Sequence, residues 1–408
     1  MLPFILLSVY LSLATPTPTR TSLFETSCEI STEFNGGDLN GLQPLILDAT
    51  KQEFRYPNRM KKQLGLSKGE SIRLACTGPS NHFKNIPKQS EVTAKCIGGN
   101  KFVIGKETYL ISDLSCTQGV GSQNRKSSGC INKYTTIEIG FQLKANFVPT
   151  IQVCRDNKYV THYTKITLSK EIKYAQSGVP RPSWNPGAFY GDLDMNALYN
   201  TDTQALTLSK LLKFDVDYVK KTYITSQQLL TRGHMAAKGD FIYGPQQKST
   251  FWFINSAPQW STTNQGNWNS LENSVRQLVS DRSLVVDVYT GVHEIMQLPD
   301  RNNVLQDMYL SFNESKVISK QIPVPKYFWK VIHDPIGKTG VAFVGLNNPF
   351  ATENPITLCE DISSKLKWLT WQPKNIIAGY SYACTVSEAR KKISDIPANI
   401  DTTKGLII

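Results

Sequence analysis

The chain has 408 residues, 40% hydrophobic and 19% charged, which excludes a disordered or fibrous protein and leaves room for two cores. Its formal charge of +12 favours an anionic partner, but the basic residues are spread along the chain with no lysine-rich tail, so charge alone points only mildly to nucleic acid. Eight cysteines without a Cys-x-x-Cys pair argue against a zinc module and for disulfides formed after export.

Residues 1–19 begin with an apolar block, Met1 to Ala14, too short to span a bilayer and followed by Pro-Thr-Pro-Thr; they read as a secretory signal peptide. No later segment is long and apolar enough for a membrane helix, so the sequence describes a secreted protein without a membrane partner. Residues 20–145 read as a cysteine-rich β domain. Ser71–Cys76, Glu91–Cys96 and Lys101–Ile104 are strand-like, with Gly98-Gly99-Asn100 as a hairpin turn between the last two. Cys28, Cys76, Cys96, Cys116, Cys130 and Cys154 are expected to pair among themselves, in an order the sequence leaves open, and Cys359 with Cys384.

A second β stretch runs from Thr135 to Val153 and on through Tyr159–Tyr163 and Ile166–Leu168. It breaks at the proline- and glycine-rich segment Ser177–Gly187, expected to be a long loop or strap between lobes. The boundary near 145 assigns residues 146–395 to a second, mixed α/β domain and 396–408 to a tail. In that domain Thr203–Lys213 reads as a helix, Thr250–Ile254 as a strand and Ser283–Tyr289 as another. From Trp268 the apolar positions Trp268, Leu271, Val275, Leu278 and Val279 recur at helical spacing.

The residues with chemistry concentrate between Thr231 and Arg276. His234 follows Arg232-Gly233, where the glycine permits a tight bend that presents the imidazole. Asn264 stands just ahead of the predicted helix, and Glu272 and Arg276, four apart, share one of its faces. Taken singly, each has a structural explanation, such as a hydrogen-bonded histidine or a surface ion pair. Together they supply a base, an oxygen ligand for a hard cation and a cation for a phosphate.

In order and spacing, Arg232-Gly233-His234, Asn255-Ser256-Ala257-Pro258-Gln259 and Asn264-Gln265-Gly266-Asn267-Trp268 with Glu272 and Arg276 resemble the DNA/RNA non-specific endonucleases, and the cysteine-rich extension resembles their secreted arthropod branch. The resemblance implies an α+β protein: a ββα-metal nuclease domain of mixed sheet and helices behind the small disulfide-rich β domain. It also implies hydrolysis of DNA and RNA with little sequence specificity, with Mg²⁺, or Mn²⁺ in its place, as cofactor. Residue by residue, it implies His234 as the base, Asn264 as the direct metal ligand, Glu272 holding metal-bound water and Arg276 neutralising the phosphate. Asn255 would hydrogen-bond near the phosphate or base, and Arg232 would contact a phosphate or act as a support. Thr231 departs from the pattern, which has an aspartate there. That substitution keeps a second reading in view, an inactive nuclease fold that binds or scavenges nucleic acid.

Two other signals lead nowhere. Gly65-Leu66-Ser67-Lys68-Gly69 fits a nucleophile-elbow pattern but lacks the strand before and helix after, and is expected to be a turn. Gly337-Lys338-Thr339 lacks the first glycine of a phosphate-binding loop and is another turn. Trp252, Trp260 and Trp268 are expected in the core rather than stacked on bases.

Overall fold

The computed structural model describes residues 27–407 except 40, 61, 157, 314 and 316–319; the signal peptide read at 1–19 lies outside the described residues. β1 (Leu45–Asp48), β2 (Ser71–Ala75), β3 (Glu91–Gly98), β4 (Lys101–Ile104) and β5 (Glu107–Leu110) form an antiparallel sheet in chain order. Every second residue of β3 is buried, as period-two alternation requires. Gly99 and Asn100 both take a φ of 58°, the left-handed conformation that closes the turn to β4. Ser27–Ser31 pairs with Gln63–Ser67, so Gly65-Leu66-Ser67 is a strand and the turn falls at Lys68-Gly69, a correction to the turn expected over the whole motif. Disulfides Cys28–Cys96 and Cys76–Cys116 fasten this unit, and Cys130–Cys154 keeps the remaining pair within the first six cysteines. Cys359 pairs with Cys384 as expected.

The larger sheet has eight strands, antiparallel throughout: β6 (Gln123–Gly129), β7 (Thr135–Gln142), β8 (Phe147–Arg155), β9 (Thr161–Leu168), β12 (Val286–Ile295), β13 (Pro325–Asp334), β14 (Thr339–Leu346) and β15 (Ser381–Cys384). Their order is β15-β14-β13-β12-β9-β8-β7-β6, so the sheet reaches back across position 145 to Gln123. Between the neighbours β9 and β12 the chain inserts helix α1 (Thr201–Leu212), a ribbon of β10 (Leu230–His234) and β11 (Ser256–Trp260), and helix α2 (Asn269–Asp281). This is the ββα order that the resemblance implied.

Helix α2 buries Leu271, Val275, Leu278 and Val279 in the core cluster that also holds Phe328, Ile332 and Phe343 of the sheet. The other face of the sheet, with Tyr327, Trp329 and Val331, packs with α3 (Val386–Lys392), which is capped by Thr385. Trp252, Trp260 and Trp268 are core residues. Thr250–Ile254 is not the strand expected: the chain forms a 3₁₀ turn at Phe253–Asn255 and β11 begins after it. A short apolar run buried on all sides has no periodicity to separate strand from turn. The following strand starts at Val286 rather than Ser283, because Ser283 turns with a φ of 54° at the end of α2. Residues 396–407 are packed against the body, with Ile396, Ile400 and Ile407 buried. Among the described residues no helix is long and apolar enough to cross a membrane.

Candidate active site

His234 closes β10, paired across the ribbon with Ser256. Its Nε2 lies 3.2 Å from Thr250 Oγ1, and that hydroxyl donates its one proton to Gln247 O at 2.8 Å. The imidazole therefore carries its hydrogen on Nε2, and among the described residues no hydrogen bond engages Nδ1, which is left as an acceptor. Two rings enclose it: Trp184 at 4.6 Å between centroids and Phe251 edge-on at 4.9 Å. Burial pushes its pKa down to about 3, and the positive charges of Arg181 and Lys238 push the same way, so the ring is neutral at any ordinary pH.

Trp184 and Arg181 come from the Ser177–Gly187 strap, which runs over the site. Asn185 N donates to Phe251 O and its carbonyl accepts from Phe253 N, both at 2.9 Å, while Lys238 Nζ donates to Val179 O at 2.7 Å. Arg181 lies 5.9 Å from the Phe251 ring.

Asn264 opens a π-helical turn, Asn264–Trp268, that leads into α2. Its Nδ2 donates to Thr231 Oγ1 at 3.1 Å, and the same hydroxyl donates to Gln259 O at 2.8 Å. Among the described residues no hydrogen bond engages Asn264 Oδ1, so the amide is held by one end with its oxygen free. Gly266 lets the 372–379 segment approach, since a Cβ there would lie 2.6 Å from Ala378 O. Asn267 fastens that segment through Gln372 O at 2.8 Å, Gly379 O at 2.7 Å and Gln372 N at 2.8 Å.

Glu272 and Arg276 stand 4.0 Å apart on α2. Arg276 also donates to Asp240 at 2.7 Å and to Asn273 at 2.7 Å. Burial pushes Glu272 up to about 7; Lys330 pulls it down, Asp240 pushes it up and Arg276 pulls it down. Arg232 stacks its guanidinium over Tyr199 at 4.7 Å and Phe253 at 5.5 Å, and reaches Asn196 at 3.5 Å. Asn255 does not face the site. It is fully buried, its Oδ1 accepting from Ala236 N at 2.9 Å and its Nδ2 donating to Ala236 O at 3.0 Å and Thr250 O at 2.9 Å. The contact to phosphate or base expected of it is corrected on that ground: its polar atoms are spent on the backbone that positions Thr250.

Sequence reasoning missed Thr250, Trp184, Asp240 and Lys330. The first three carry no readable spacing, whereas a lysine inside the apolar run Tyr327-Phe328-Trp329-Lys330-Val331-Ile332 was a signal that could have been found.

A hard divalent cation fits the donors present. Among the described residues no cluster of three His, Cys, Asp or Glu could cage a metal, but an amide oxygen that no hydrogen bond engages suits an ion that keeps most of its waters.

Residues 132–389 match the model of the DNA/RNA non-specific endonuclease family. The chain is 27% identical to a salivary endonuclease of Lutzomyia longipalpis over 70% of this chain and 68% of that one. It is 26% identical to the salivary protein Tsal2A of Glossina morsitans morsitans, over 95% of this chain and 96% of the other. A chain from the crystal structure of an EndoG/EndoGI complex superposes with a TM-score of 0.35 and 19% identity, covering 60% of this chain and 81% of that one.

Proposed function

Because the chain belongs to the DNA/RNA non-specific endonuclease family, we propose that it is a secreted, Mg²⁺-dependent endonuclease that hydrolyses phosphodiester bonds of DNA and RNA with little sequence preference. The observation that carries the reading is the tautomer of His234: Nε2–H is committed to Thr250, so a neutral imidazole offers Nδ1 to a proton. That nitrogen takes a proton from the attacking water as the water oxygen bonds to phosphorus and the bond to the departing nucleotide oxygen breaks. Asn264 Oδ1 would hold Mg²⁺, or Mn²⁺ in its place, which when bound supplies positive charge to the phosphate. Glu272 would accept hydrogen bonds from water at such a cation, and Arg276, with Arg181 on the strap, would supply positive charge to the phosphate. Arg232 supports the ribbon from its stack on Tyr199, and Asn255 positions Thr250. Contacts made to phosphate rather than to base edges account for broad sequence tolerance. Four disulfides and the apolar N-terminus support secretion.

The test is incubation of the purified chain with plasmid and double-stranded RNA, in Mg²⁺ or EDTA. Cleavage that EDTA abolishes is the expected result, with His234→Ala lowering the rate by at least about a hundredfold. Binding without cleavage would favour the inactive nucleic-acid binder instead.

A further inference from the structure

Between β12 and β13 the strands Tyr309–Phe312 and Lys320–Pro323 pair as an antiparallel hairpin, with Tyr309 opposite Pro323 and Phe312 opposite Lys320. The hairpin is anchored from one side. Leu310 and Ile322 are buried in the core cluster that also holds Leu208 and Leu211 of α1, and the Lys320 ammonium lies 5.7 Å from the centre of the Tyr309 ring. The first residue beyond the outgoing strand is Asn313, which opens Asn313-Glu314-Ser315, the one Asn-x-Ser/Thr sequence in the chain. Asn313 and Ser315 are both exposed. Asn313 Oδ1 accepts from Ser315 N at 3.1 Å and from Ser315 Oγ at 2.7 Å. Both bonds fall on the oxygen end of the amide; among the described residues no hydrogen bond engages Nδ2, the atom to which a sugar would be joined. The two bonds reach only two residues along the chain, so this turn can form before the hairpin and the core do.

We propose that Asn313 is a site of N-linked glycosylation, with the Ser315 hydroxyl setting the turn that offers Nδ2 to the transferase. The co-substrate is an oligosaccharide carried through a phosphate on a lipid. A bond forms between Nδ2 and the anomeric carbon of the sugar, the bond from that carbon to the phosphate oxygen breaks, the lipid phosphate leaves, and a proton from Nδ2 passes to a base of the transferase. This rests on the export assigned above, not on the catalysis, and the four disulfides place the chain in the oxidising compartment where such transfer takes place. A bulky, hydrated glycan is carried without loss where it displaces no packing, and at Asn313 it extends into solvent while Leu310 and Ile322 keep their places in the core. Among the described residues no contact joins Asn313 or Ser315 to His234, Asn264, Glu272 or Arg276, so removal of the glycan is expected to leave cleavage unchanged.

The experiment is expression of the full chain in cultured mammalian cells, once with its own N-terminus and once behind a signal sequence of established function. The disulfide-bonded product is then treated with peptide-N-glycosidase F. A single downward shift in gel mobility is expected, with Asn313 converted to aspartate in the recovered peptide. Asn313→Gln and Ser315→Ala should each lose the shift, and Ser315→Thr, which keeps a hydroxyl, should retain it. An unmodified Asn313 in the disulfide-bonded chain, or a shift that persists in N313Q, would overturn the proposal. Modification behind the foreign signal sequence alone would sink the reading of export and leave the acceptor site standing. A glycosylated wild type that cut no nucleic acid would count against the endonuclease reading only.

Discussion

At the scale of single residues, Thr231 performs a task that a carboxylate would perform differently. Its hydroxyl has one proton to give and gives it to Gln259 O, so it meets Asn264 as an acceptor and fixes which end of the amide faces outward. An aspartate could bond the same Nδ2 and add charge near the metal; the threonine orients without charge. Thr231→Val is therefore expected to raise the Mg²⁺ concentration for half-maximal cleavage by about 10–100-fold, and Thr231→Ser to leave it near wild type, as a magnesium titration would read. Equal requirements in all three would refute the orienting role. Trp184 acts on His234 in a comparable way by keeping the imidazole dry. In Trp184→Ala the His234 ring, followed by NMR, should titrate closer to 6.5 than its present value of about 3. Because His234 is neutral in wild type well below neutrality, the acid limb of the rate profile is assigned to Glu272, and cleavage should decline as the pH falls through about 7. The ordered spacing of His234, Asn264, Glu272 and Arg276 was legible in the sequence. Their partners Thr250, Trp184 and Asp240 were not, since each is brought in by tertiary packing with no fixed offset along the chain.

At the scale of elements, helix α2 was legible because its apolar stripe repeats at three and four residues, and the β3–β4 hairpin because a glycine pair followed by asparagine has few other uses. The π-helical turn ahead of α2 was not. It exists because Gly266 leaves helical geometry, at φ −88° and ψ −122°, where the 372–379 segment comes against it. That non-local contact lies two residues from Asn264 and is expected to help fix its backbone. Asn267→Ala removes three hydrogen bonds from this junction and should cost about 2–3 kcal/mol of stability, measurable by denaturant unfolding, with a weaker Mg²⁺ response alongside. Stability lost with metal response intact would show that the junction is a scaffold with no hold on Asn264. The 250–254 segment failed to read correctly for a related reason. Asn255 draws Thr250 and Ala236 together through its side chain, and the backbone between follows a turn that no local pattern announces.

At the scale of the whole molecule, the N-terminal β unit and the large sheet share one continuous core, and polar contacts lock them near the site: Gln176 bonds to Thr32 O and Gln43, Tyr243 to Arg55 O and Gln246 to Tyr56. The boundary near 145 was placed to give the strands ahead of the strap to the second sheet, and that sheet takes in Gln123–Gly129 and Thr135–Gln142 as well. A second long-range tie joins β9 to the C-terminal segment, where His162 lies 2.8 Å from Asp395 and 3.3 Å from Asp156 and stacks on Tyr134. Burial opposes its charge, but the two carboxylates prevail and raise its pKa to about 9. A histidine raised above its unfolded value of 6.5 stabilises the fold fully below that pH and loses its contribution as the pH climbs through 9. The melting temperature should thus drop by a few degrees between those values in wild type, and by less in His162→Gln; parallel slopes would rule the tie out. The insertion between β9 and β12 has a consequence in time as well as in space. All four disulfides join cysteines outside residues 169–285, so covalent bonds brace both flanks while the segment bearing the ribbon and α2 has no cross-link of its own. Nothing covalent therefore keeps the site assembled when the chain loosens: its closure depends on packing alone, and limited proteolysis with rising temperature is expected to cut within 169–285 before it cuts the disulfide-braced flanks.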